Sequence, residues 1–219
     1  MNMMSDAIDL LYLDDSLLAL NKPSGLLSVP GRGPDKQDCA SERARQLFGD
    51  TRVVHRLDMA TSGLMLLARS PLMQRMLSQA FAKRLIRKRY VALVTGHLGT
   101  ALLNWHEIDL PLMPDWPRRP RQKIDKAGRP SLTRWRLLAF DKDSEGRPCS
   151  RLELEPITGR THQLRIHLHA IGHPILGDTL YASQAVAAAC PRLMLHASSM
   201  DLQHPMTDQA LSLNCPPPF

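Results

Sequence analysis

A chain of 219 residues that is 43% hydrophobic and 22% charged carries ample material for a packed core. No run approaches the roughly 18 consecutive apolar residues of a membrane-spanning helix, and the first six residues lack the cationic start and long apolar stretch of a secretory signal, so the expected location is the cytoplasm. Cys39, Cys149, Cys190 and Cys215 lie far apart with no Cys-x-x-Cys pair, which signals neither a zinc knuckle nor a disulfide framework. A net charge of +7 with a pI near 9.6 favours a polyanionic partner.

In chain order, residues 8–13 and 17–22 flank Asp14-Asp15-Ser16 and read as two short strands of a hairpin. Pro23-Ser24-Gly25 and Pro30-Gly31-Arg32-Gly33-Pro34 break regular structure, predicting a long loop before a helix over 41–48. Asp58 follows Arg56 and precedes Thr61-Ser62-Gly63, a turn leading into an apolar run over 64–68 that reads as a buried strand. A carboxylate at the rim of a strand is well placed for chemistry, although a solvated surface turn would look the same locally. Ser70-Pro71 starts a helix, because serine caps and proline tolerates the first helical position. Leu72, Met73, Met76, Leu77, Ala80 and Phe81 recur along it at helical spacing, a face suited to core packing. Residues 90–95 have strand character and stop at Gly96.

Pro111, Pro114, Pro117, Pro120 and Pro130 forbid a continuous helix, so the segment around Trp116 is predicted to be an extended loop or arm. Residues 132–137 and 150–155 alternate, which predicts strands, the first with Arg134 and Arg136 on one exposed face. Thr161 is predicted to cap a helix that Gly172 ends, with Leu164, Leu168 and Ile171 as its buried stripe and Arg165 at the helix–sheet boundary. No repeat or linker separates two cores. The expectation is one α+β domain over 1–219 with a mixed, mostly antiparallel sheet and a few flanking helices.

The charge is concentrated. Between Arg118 and Arg136 eight basic residues (Arg118, Arg119, Arg121, Lys123, Lys126, Arg129, Arg134, Arg136) face only Asp125, an excess of 8 − 1 = +7 that equals that of the whole chain. Lys83, Arg84, Arg87, Lys88 and Arg89 form a second cluster just before Tyr90. Such runs are often solvated faces, but two of them without an acidic counterpart suit nucleic acid. His162, His167, His169 and His173 lack the spacing of a His-Glu-x-x-His site and have no cysteine nearby; packing and hydrogen bonding are expected of them, with phosphate contact the alternative, and no metal is expected.

Asn21-Lys22-Pro23-Ser24-Gly25, His55-Arg56-Leu57-Asp58 with Thr61-Ser62-Gly63, Lys88-Arg89-Tyr90-Val91-Ala92, Gly159-Arg160-Thr161-His162-Gln163-Leu164-Arg165-Ile166-His167, and Leu176-Gly177-Asp178 with Tyr181 occur in this order. In order and spacing they resemble the RluA-type RNA pseudouridine synthases, isomerases that detach uracil from ribose and rejoin it through carbon. The resemblance implies the pseudouridine synthase fold around a basic active-site cleft. It implies Asp58 as the essential aspartate, Tyr90 as the active-site tyrosine and Arg165 as the arginine that pairs with the aspartate. A carboxylate can attack the sugar or the base, or remove a sugar proton, without a cofactor. Tyr90 offers a flat face for uracil and a hydroxyl for the carbon that finally loses its proton. The uridine must be flipped out, and Arg56 is placed to fill the vacated stack, with His55 beside it as a further RNA contact. Trp116, Arg118, Arg119, Arg121 and Lys123 are expected to hold RNA. The start of the first strand near residue 8 leaves no room for the small RNA-binding domain that several members carry in front. Asp115-Trp116-Pro117-Arg118-Arg119-Pro120 looks most like the dual-specificity branch, which implies 23S ribosomal RNA and transfer RNA anticodon stem-loops as partners of a monomeric enzyme. A binding-only RNA chaperone of the same fold is the competing reading, and a metal-dependent hydrolase built on the histidine cluster is a third. The proline-rich end after Leu213 leaves the role of a last strand open.

Overall fold

The computed structural model describes residues 8–99, 101–143 and 145–219. Its strands are β1 (Asp9–Leu13), β2 (Leu17–Lys22), β3 (Arg52–Val53), β4 (Ser62–Ala68), β5 (Arg87–Thr95), β6 (His106–Asp109), β7 (Leu112–Pro114), β8 (Gln122–Ile124), β9 (Leu132–Lys142), β10 (Pro148–Pro156), β11 (Leu195–Gln203) and β12 (Ala210–Asn214). The helices are α1 (Ala40–Phe48), α2 (Pro71–Ala82), α3 (Gln163–Ala170) and α4 (Gln184–Ala188). Sheet dominates and helices are few, the α+β class expected. The chain divides into two compact units, one of residues up to 88 with 196–218, the other of 89–195 with Phe219.

In the first unit, β1 and β2 form the hairpin read from the sequence. Asp14 makes its turn by accepting the backbone N–H groups of Ser16 (2.7 Å) and Leu17 (2.8 Å) and the Tyr12 hydroxyl (2.7 Å). β2 runs antiparallel to β4, β3 also pairs with β4, and β12 pairs antiparallel with β11, so the proline-rich end does follow a real strand. β4 and β11 pair in parallel instead, through His196↔Ser62 and Ala197↔Gly63. Every residue of β4 is buried, as are Leu17 to Leu20 of β2, forming the core under the Asp58 loop. Gly63 has φ 106, and a Cβ there would collide with the Ala197 backbone, so the glycine of the Thr-Ser-Gly motif is what permits β11 to approach. Ser70 caps α2 by accepting the Met73 N–H at 3.1 Å, and α2 buries Met73 and Leu77 while Leu72 stays exposed.

In the second unit, β5, β10, β9 and β6 make an antiparallel sheet, and α3 packs against β8, β9 and β10. The proline-rich segment is more ordered than expected: β7 and β8 pair, from Leu112↔Ile124 to Pro114↔Gln122, around a 3-10 turn at Trp116–Arg118. Prolines end the strands early but do not forbid a short ladder at its edge. Arg134 and Arg136 share a face, yet they are half-buried because Glu155 (3.1 Å) and Glu153 (2.5 Å) on β10 pair with them. Arg89 joins Glu153 at 2.7 Å, and all three guanidinium groups surround the Trp105 ring at 4.9 to 5.1 Å. Thr161 is not the cap of α3. The capping position is His162, in the left-handed region at φ 55, and the side chain of Gln163 closes the helix start instead. Its Oε1 accepts from the Thr158 hydroxyl (2.7 Å) and the Arg160 N–H (3.0 Å), while its Nε2 donates to the Leu132 carbonyl (2.9 Å) and Thr133 hydroxyl (3.0 Å) on β9.

Candidate active site

Asp58 belongs to the first unit, and Tyr90 and Arg165 to the second. Asp58 sits half-buried in the loop between β3 and β4, and that loop is held by the backbone carbonyls of four successive residues. The Leu57 carbonyl accepts the Ser28 hydroxyl (2.7 Å), and the Asp58 carbonyl accepts the Thr61 N–H (3.1 Å). The Met59 carbonyl accepts the Gly25 N–H (2.9 Å) and the Lys22 ammonium (3.1 Å), and the Ala60 carbonyl accepts the Ser24 hydroxyl (2.7 Å). The Leu57 N–H also donates to Ser28 Oγ at 3.0 Å. Lys22 is 0% exposed, and its ammonium also donates to the carbonyls of Pro23 (2.8 Å) and Leu26 (2.7 Å). A buried ammonium is tolerated only when its protons are taken up, and here carbonyl oxygens take them. The first motif of the sequence is thus the floor on which the aspartate turn rests. Sequence reasoning assigned no role to Lys22, Ser24 or Ser28; the signal available was a lysine closing a strand that begins with four apolar residues.

Arg56 is exposed, as its expected contact with RNA requires. His55, expected to contact RNA beside it, is instead drawn inward: Nε2 accepts the Leu66 N–H of β4 at 2.9 Å, and the ring packs on Phe81 of α2 at 4.7 Å. Burial, and then the nearby Lys88 ammonium, push its pKa from 6.5 down to about 3, so the imidazole is neutral. The uncharged ring, bonded to β4 and packed on α2, fastens the loop.

Tyr90 lies on β5, half-buried and opposite Leu154 of β10. Arg165 is only 4% exposed, further inside than the helix–sheet boundary expected of it. Within its unit it is gripped by Asp178 in a two-point pair, Nε to Oδ2 at 2.8 Å and Nη2 to Oδ1 at 2.6 Å. Oδ1 also accepts the N–H groups of Leu180 (2.9 Å) and Tyr181 (3.1 Å). Burial opposes ionisation of Asp178, but the Arg165 guanidinium and these backbone donors hold its carboxyl below the usual range. Asp178 and Tyr181 belong to the last of the recurring motifs, and their support of Arg165 had no local signal.

The arm carries its cations in two states. Arg118 pairs with Asp115 at 2.7 Å and Lys123 with Asp125 at 2.8 Å, whereas Arg119 lies over the exposed Trp116 ring at 3.5 Å. Arg118 and Lys123 are themselves exposed, although Asp115 is buried, so phosphate can compete for these two cations. Among the histidines, His167 bonds to the Thr133 hydroxyl (2.9 Å) and Leu110 carbonyl (3.0 Å), and His173 to the Thr95 carbonyl (2.8 Å). Among the described residues no three histidine, cysteine or acidic side chains gather as metal ligands would.

Residues 16–170 match the family model described as RNA pseudouridylate synthase. The chain is 46% identical over 213 residues to the dual-specificity RNA pseudouridine synthase RluA of Pasteurella multocida, covering 97% of this chain and 94% of that protein. It is 43% identical over 211 residues to the protein of the same name from Escherichia coli K12, covering 96% and 93%. Among solved structures, human RNA Pseudouridylate Synthase Domain Containing 1 superposes with a TM-score of 0.82 at 28% identity, covering 100% of this chain and 87% of that one.

The His55 environment predicts a pH dependence. A histidine whose folded pKa lies below 6.5 contributes stability that is complete above pH 6.5 and is lost as pH falls toward 3, at up to about 1.4 kcal/mol per pH unit. Between pH 7 and 5 urea unfolding should therefore cost the wild type about 2 kcal/mol more than it costs His55→Gln. Equal acid sensitivity of the two proteins would contradict the buried neutral ring.

Proposed function

The chain belongs to the RNA pseudouridylate synthase family and is an RNA pseudouridine synthase; from that premise we propose that Asp58, Tyr90 and Arg165 carry the isomerisation and that its substrates are uridines of ribosomal RNA and of transfer RNA anticodon stem-loops. The reaction breaks the C1′–N1 bond of uridine, forms a C1′–C5 bond, releases the C5 hydrogen to solvent as a proton and takes up one proton at N1, so atoms and electrons balance without an external oxidant or reductant. The observation that carries the assignment of Asp58 is the series of pinned carbonyls from Leu57 to Ala60, which fixes the backbone on both sides of one carboxylate. Preorganisation of this kind is what a carboxylate needs to meet a reacting atom at a set distance. Arg165, held in plane by Asp178, supplies a guanidinium of fixed direction, and Tyr90 supplies the aromatic face and hydroxyl. Arg56, exposed beside Asp58, takes the place of the flipped base. The name dual-specificity borne by the relatives supports two RNA classes as substrates. The enzyme is proposed to work as a monomer in the cytoplasm, with the Trp116–Arg119 stack and neighbouring cations gripping the RNA backbone.

Two measurements test this reading. Asp58→Asn should reduce tritium release from RNA labelled at uracil C5 by at least about 100-fold while leaving the fold intact; release at the wild-type rate would remove Asp58 from the chemistry, and no release by the wild type from any RNA would favour the binding-only protein. Replacing Arg118, Arg119 and Arg121 together by alanine should weaken RNA binding and lower the slope of log affinity against log salt by about 2 to 3. An unchanged slope would take the arm away from the phosphates.

A further inference from the structure

We propose that Tyr181 is a positioning residue that latches the basic arm to the helix bearing Arg165, so that the grip on RNA and the setting of the active-site arginine depend on one phenol. The proposal rests on the synthase reading above and adds to it a residue that reading does not use. Tyr181 is half-buried in the turn that follows Asp178. Its hydroxyl accepts the backbone N–H of Gln122, the first residue of β8, at 2.8 Å, and bonds Nδ1 of His162 at 2.8 Å. A phenol has one proton to give and lone pairs to accept, so it can accept from Gln122 and share a hydrogen bond with His162 Nδ1 at the same time. Its own N–H donates to Asp178 Oδ1 at 3.1 Å, and its ring lies 5.4 Å from the Arg165 guanidinium carbon. One side chain therefore touches the arm, the capping residue of α3 and the Arg165–Asp178 pair.

Two features give this junction mechanical consequence. The arm is a two-stranded ladder of three pairs, Leu112↔Ile124, Met113↔Lys123 and Pro114↔Gln122, too short to fix its own direction. The Gln122 anchor is where it meets the turn after Asp178, immediately past Arg121 and the Trp116–Arg119 stack. His162, at φ 55, adopts a conformation that is costly for a side chain with a Cβ and persists where its surroundings impose it. The Tyr181 hydroxyl on Nδ1 and the edge-to-face packing of the two rings, with centroids 5.7 Å apart, are part of those surroundings. Arg165 is three residues further along the same helix, so displacement of the helix start is passed to it directly.

Tyr181→Phe in the full chain separates the hydroxyl from the ring, because it removes both hydroxyl bonds and keeps the aromatic face against Arg165. The Gln122 amide should exchange its hydrogen at least tenfold faster in the variant, with the amides of β9 and β10 unchanged. With stem-loop RNA the KM should rise at least fivefold, more than kcat falls. Arg119→Ala should cost less in the Tyr181→Phe background than in the wild type, since the arm is already out of place. Tyr181→Leu, which also loses the ring, should lower kcat further. Unchanged exchange at Gln122 or an unchanged KM for Tyr181→Phe would overturn the latch, as would strict additivity with Arg119→Ala. Should the wild type release no tritium, the synthase reading fails by itself, and exchange at Gln122 together with RNA affinity still decides whether the latch exists.

Discussion

The ammonium of Lys22, sealed from water and shared among the carbonyls of Pro23, Leu26 and Met59, is the constraint on which the proposed catalytic turn depends. Placing a charge inside a protein is unfavourable unless its donors are all engaged, and each engaged carbonyl is thereby fixed in place. Because one of them belongs to the residue after Asp58, the cost of burying the lysine is converted into rigidity at the carboxylate. Ser24, Ser28 and the Gly25 N–H extend the same support to the neighbouring carbonyls. His55 completes it from the other side by bonding the Leu66 N–H of the fully buried β4. The turn is irregular in backbone conformation, yet its backbone is as well tied as a strand.

The second unit applies the same economy to its charges. Arg134 and Arg136 are paired across strands with Glu155 and Glu153 and, with Arg89, stacked around Trp105, and the large basic excess counted between Arg118 and Arg136 therefore divides into a structural part and an available part. The available part lies on the β7–β8 arm, where the cations of Arg118 and Lys123 are exposed and Arg119 rests on an open indole face. Arg165 stands between these extremes. It is buried and paired like the structural arginines, but its partner Asp178 presents it in a plane instead of merely cancelling its charge.

How much of this was legible in the sequence follows from the range of each interaction. The β1–β2 hairpin, the Ser70 cap and the buried β4 strand were readable because Asp14, Ser70-Pro71 and the apolar run act on residues a few positions away. The start of α3 was not, because Thr161 has the better local propensity while Gln163 reaches Leu132 and Thr133 on another strand. The same holds at the site. Asp58 stood out as a carboxylate in a punctuated turn, but the hold of Lys22 on Met59 crosses 37 positions and that of Tyr181 on Gln122 crosses 59. The packing of His55 was not legible for a related reason: Arg56 beside it and Asp58 three residues on suggest a polar turn, whereas its neighbours in space are Leu66, Phe81 and Lys88.

The central claim is that the buried ammonium holds the aspartate turn in its working geometry, and Lys22→Met tests it most directly by keeping an apolar stem of similar length without the donors. Measured as single-turnover tritium release at saturating RNA, with folding followed by circular dichroism, the account predicts a folded protein that binds RNA with unaltered affinity and turns over at least about tenfold more slowly. A folded Lys22→Met protein that isomerises uridine at the wild-type rate would contradict it.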